Sequence, residues 1–94
     1  MITEQKVEHL FETFWDKYEE VRLSAHDVSL YHLFLYFMIE NNSTSFEVGF
    51  VDIKRYLRAS NQKIRSSIVS LNKRGLLTYK AVSKDLFNIN ICDG

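Results

Sequence analysis

The chain has 94 residues, 46% of them apolar and 14% aromatic, which is enough for one small core and too apolar for disorder. Its single cysteine, Cys92, excludes an internal disulfide and a four-cysteine zinc site. Twelve basic and twelve acidic residues cancel, yet residues 1–48 hold nine acids against three bases and residues 49–94 hold nine bases against three acids. All nine of the later bases fall between Ile53 and Lys84, a stretch without any acid. Such asymmetry points to nucleic-acid binding by the basic half, or to oppositely charged halves that attract each other or a second copy. The first residues lack the basic and apolar regions of a secretory leader. The longest apolar stretch, Val28 to Ile39, is broken by Ser29 and His32 and is too short to span a bilayer. These features lead to the expectation of one soluble, cytoplasmic domain over residues 1–94, an N-terminal helix in 1–23 and a core in 24–92.

Residues 4–22 read as an amphipathic helix. Val7, Phe11, Phe14, Tyr18 and Val21 recur at spacings of four and three, widened by Leu10 and Trp15, and Thr3 is placed to cap the N-terminus. On the opposite face Glu8, Glu12 and Asp16 stand four apart, which destabilises an isolated helix and calls for packing. Ser24-Ala25-His26-Asp27 has the pattern of a capping box and starts a second helix running to about Glu40. Here the polar positions form the narrow stripe (Ala25, Ser29, His32, Tyr36, Glu40), so this helix belongs in the middle of a domain or at an oligomer interface.

Asn41-Asn42-Ser43-Thr44-Ser45 is a polar loop leading to a short strand, Phe46-Glu47-Val48. Gly49 then precedes a helix expected from Phe50 to about Arg58, with Phe50, Ile53 and Leu57 inward and Asp52 near its start. After a tight turn, Ser60 caps a helix over Asn61–Arg74 whose apolar face is Ile64, Ile68 and Leu71, and Gly75 ends it. Leu76 to Val82 and Leu86 to Cys92 read as two strands joined by Ser83-Lys84-Asp85.

The order helix, helix, short strand, short helix, turn, longer helix, hairpin resembles a winged helix-turn-helix, an α+β fold. The stretch FVDIKRYLRASNQKIRSSIVSLNKRGLLTYKAV carries the likeness through Ile53, Leu57, Ser60, Ile64, Ile68, Leu71 and Gly75-Leu76-Leu77. Upstream, LSAHDVSLYHLFLYF and FEVGFVDIKRYL are similar to the N-terminal domains of phage and mobile-element replication initiators, the DnaD-like replisome organisers. The resemblance implies a three-helix core plus β-hairpin wing, with an extra N-terminal amphipathic helix. One departure is that Arg58-Ala59 occupies the turn between the helices, where such families often carry Gly.

On that scaffold the expected partner is double-stranded DNA, bound within a replication initiator or small transcription regulator. The Asn61–Arg74 helix would enter the major groove, with Gln62, Lys63, Ser66, Ser70 and Lys73 facing the bases and phosphates and Asn61 and Ser67 flanking them. Lys54, Arg55 and Arg58 would contact backbone from the shorter helix, and Lys80 and Lys84 from the wing. A homodimer through Phe11, Phe14, Trp15 and Tyr18 is expected from the apolar excess of the first two helices. The rival reading is a protein-interaction or assembly module on the same fold. His9, His26 and His32 have no metal-ligand spacing, Cys92 shows no sign of activation, and neither a phosphate loop nor a nucleophile elbow occurs. No enzyme, metal or cofactor is therefore expected.

Overall fold

In the computed structural model, which describes residues 2–21 and 24–92 apart from the side chains of 17–21, the apolar periodicities resolve into a small α+β domain. Its elements are α1 (Glu4–Val21), α2 (Ala25–Asn41), β1 (Ser45–Gly49), α3 (Phe50–Lys54), α4 (Asn61–Lys73), β2 (Leu77–Ala81) and β3 (Leu86–Ile91). The three strands form an antiparallel sheet in the order β1-β3-β2.

The near-continuous apolar surface of α2 puts it at the centre. Leu30, Tyr31, Phe34, Leu35 and Met38 are all buried, and Phe34 meets Phe46 of β1 at 6.0 Å between ring centroids. α1 lies on α2 through aromatic contacts. The Phe14 ring stacks on Tyr31 at 4.7 Å and 8°, and Phe11 sits 5.1 Å from the His32 ring. Phe14 is 0% exposed, so the side chain expected to anchor a second copy is consumed by this chain's own core. Full burial of a ring of that size contributes roughly 1.5–3 kcal/mol to the fold. Phe11 packs against the same core at half-burial, Trp15 remains 47% exposed, and Tyr18 lies outside the described side chains.

β3 supplies the centre of the sheet by strict alternation: Phe87, Ile89 and Ile91 are buried, while Asn90 faces outward. Register places Val48 and Ala81 opposite Phe87, and Phe46 and Tyr79 opposite Ile89. On the other face Glu47 and Lys80 flank Asn88, one on each side.

Two helix ends use the same backbone device. At the end of α4, Gly75 takes φ 76°, the Leu76 amide donates to the Leu71 carbonyl and the Gly75 amide to that of Asn72. At the end of α2, Asn42 takes φ 50°, the Ser43 amide donates to Met38 and the Asn42 amide to Ile39. The Asn42 side chain also accepts the Ile2 amide at 2.7 Å, which ties the start of the chain to the end of α2. Gly75 ends α4 as the sequence predicts, whereas Asn42, within the polar loop, adds a left-handed cap that its loop setting does not reveal.

α3 is shorter than the expected Phe50–Arg58. The amides of Tyr56 and Leu57 both donate to the Ile53 carbonyl, so the helix closes in a turn there while Leu57 still packs on the core. The Arg58-Ala59 connection needs no glycine. Asn42 alone among the described non-glycine residues has positive φ.

Because a side chain in the left-handed region costs roughly 1–2 kcal/mol, Gly75→Ala is expected to lower stability by about that amount in urea unfolding. Asn42→Gly, which keeps the backbone geometry, is expected to cost less than Asn42→Ala.

Candidate nucleic-acid interface

α4 is built to present one face. The Ser60 hydroxyl accepts the Lys63 amide at 3.1 Å, which fixes the start of the helix. Ile64, Ser67, Ile68 and Leu71 then turn inward. Asn61, Gln62, Lys63, Ser66 and Lys73 are exposed, as the spacing predicts. So are Lys54, Arg55 and Arg58 on and after α3, and Lys80 and Lys84 on the hairpin. With Arg65 and Arg74, all nine bases between Ile53 and Lys84 are solvent-facing.

Two expected contact residues face elsewhere. Ser67 is 1% exposed, and its hydroxyl lies 2.7 Å from Nδ1 of His26 on α2. It is a helix-helix contact and not a flank of the polar face, because its position on the helix falls among the core positions Ile64, Ile68 and Leu71. Ser70 is half-buried and donates to Asp27 Oδ2 at 2.9 Å. Asp27 in turn is only 7% exposed, while the Ser24 hydroxyl caps its amide at 3.1 Å. The pairs His26–Ser67 and Asp27–Ser70 thus stitch α2 to α4 and set the angle at which the exposed face is held.

Arg65, one of the nine bases but not among the expected contact residues, positions the hairpin. Its guanidinium donates to the Lys84 carbonyl at 2.9 Å and lies 5.1 Å from the Phe50 ring centroid. The Phe50 amide donates to the Asp85 carbonyl at 3.3 Å, and Phe50 meets Phe87 edge-on at 5.4 Å. The hairpin turn is therefore tied to α3 and α4 together. Gly49 belongs to this joint: its amide donates to Asp52 Oδ2 at 2.9 Å, and a Cβ there would stand 3.3 Å from the Asp85 carbonyl oxygen. Sequence offered a partial signal for Arg65, since a base between two inward isoleucine turns must lie at the edge of the helix.

His26 Nε2 is buried with no hydrogen-bond partner, and Asp27 is engaged by Ser70. Burial, followed by the nearby Lys63 ammonium, lowers the His26 pKa from its ordinary 6.5, against a smaller opposing pull from Asp27. Among the described residues no three His, Cys, Asp or Glu side chains group as a metal site, and no helix is long and apolar enough to cross a membrane.

A separate aromatic cluster lies on the surface. Tyr36 and Tyr56 are exposed, their rings 5.7 Å apart, with Phe37 5.9 Å from each. A hydrogen bond with Tyr56, helped by the Glu40 charge, raises the Tyr36 pKa. No family model, curated protein or solved structure matches this chain.

The lowered pKa of His26 has a definite sign for stability. The unfolded chain takes up a proton near 6.5 and the folded chain only below that, so stability present above 6.5 is lost as pH falls through it toward the folded value. Thermal melts are expected to show that loss on mild acidification, and His26→Gln is expected to flatten it.

Proposed function

We propose that the chain is a winged helix-turn-helix domain that binds double-stranded DNA and performs no catalysis, as part of a replication initiator or a small transcriptional regulator. In this reading α3 braces α4, α4 enters the major groove, and the β2–β3 hairpin is the wing. The observation that carries it is the exposure of all nine bases of the acid-free stretch, spread over α3, α4, their connection and the hairpin. Lysines and arginines so placed neutralise phosphates on either side of a groove-bound helix. Gln62 and Ser66, exposed on α4, supply groups that can bond base edges. The hairpin turn, held by Arg65 and Phe50, keeps Lys84 at a fixed distance from α4, as a backbone-contacting wing requires.

Lys63→Ala and Lys73→Ala are each expected to weaken duplex binding in a mobility-shift titration and to reduce the salt slope by about 1. Unchanged affinity in both variants would refute groove entry by α4. An acidic protein bound as tightly as the duplex would favour the rival reading, a protein-interaction module.

A second copy is the partner that the remaining apolar surface supports. Ile39 and Trp15 are about half exposed, and Val7, Phe11 and Ile39 share a groove with Ile2. With Phe14 internal, the proposed contact rests on Phe11, Trp15 and Ile39. Helix-turn-helix dimers in general set their two recognition helices on half-sites roughly one helical turn of DNA apart. Sedimentation equilibrium is expected to give a dimer that Trp15→Glu dissociates without unfolding the chain. A monomer that Trp15→Glu leaves unchanged would rule the dimer out.

A further inference from the structure

Directly opposite the buried face of α4 runs a single line of side chains at spacings of four, three and four: Gln62, Ser66, Val69 and Lys73. Three are polar or charged. The fourth is a valine, 37% exposed, lining a depression with Ser66, Ser70, Lys73 and Arg74. A β-branched residue is a weaker helix former than alanine, lysine or glutamine, and this position lies across the helix from Ile64, Ile68 and Leu71. It is the one apolar residue on the line, set at its middle among hydroxyls and cations.

The major groove offers one apolar feature, the C5-methyl of thymine, amid hydrogen-bonding edges and flanking phosphates. The line on α4 has the matching composition: one apolar group between hydrogen-bonding side chains and a lysine. Resting on the duplex-DNA reading above, we propose that Val69 is a specificity-determining residue that packs against a thymine methyl group, so that the sites this domain prefers carry a thymine at one fixed position. Gln62, seven residues earlier on the same line, lies about 10 Å along the helix and reads a different base pair.

The test uses a duplex selected by the wild-type chain from a randomised pool, with each thymine in turn replaced by deoxyuridine. That exchange removes the methyl group and leaves base pairing intact, so no protein folding is at stake. Wild type is expected to bind about fourfold more weakly at one position, the value of one buried methyl group. Val69→Ala is expected to bind the thymine and deoxyuridine duplexes alike. If every deoxyuridine duplex binds as tightly as its parent, the thymine contact is overturned while duplex binding stands. If Val69→Ala keeps the wild-type preference, Val69 is not the reader and the proposal is equally overturned. If no duplex is enriched at low salt, the DNA reading itself fails and the assignment of Val69 falls with it.

Discussion

Burial of one broad face of α2 is the constraint from which the rest of the molecule follows. With Leu30, Tyr31, Phe34, Leu35 and Met38 all inward, that face must be covered by other elements. α1 covers one side through the Phe14–Tyr31 stack, the sheet another through Phe34 and Phe46, and α4 a third. The α4 side differs in kind. It is sealed at the N-terminal end of α2 by His26–Ser67 and Asp27–Ser70, where direction matters as well as burial. Apolar packing tolerates small rotations, but two side-chain hydrogen bonds in a part-buried seam do not, since each misalignment leaves a buried polar group unpaired. The face that α4 turns outward is therefore fixed by this part-buried polar seam.

That division also explains the charge distribution. The acids of α1 and the bases of α3, α4, their connection and the hairpin stand on separate elements, and both sets are exposed wherever their side chains are described, while Asp27 of α2 is buried. A net charge of zero thus coexists with a strongly polar surface field. The basic face is also mechanically coherent. Arg65 joins α4 to the hairpin turn while Phe50 joins that turn to α3, so the backbones that carry these cations are tied together.

Much of this was legible in the sequence. Periodicity located every helix and strand to within a few residues, the central role of α2 followed from its inverted polar stripe, and Gly75 announced the end of α4. The exposure of the nine bases was equally readable, because long charged side chains are almost never buried without a partner. What the sequence determined by itself was the set of elements and the sign of each surface. Only the tertiary structure decided which short polar residues face solvent. Ser66 and Ser67 are chemically identical neighbours, yet one is exposed and the other is 1% exposed against His26, because serine carries no hydropathy signal strong enough to reveal its side of a helix. The same holds for Phe14 and Trp15: both belong to one aromatic stripe, and their separation into core and surface depends on where Tyr31 stands across the interhelix space. Side chains of intermediate polarity take their roles from neighbours distant in sequence, and those neighbours are set only when the chain has folded.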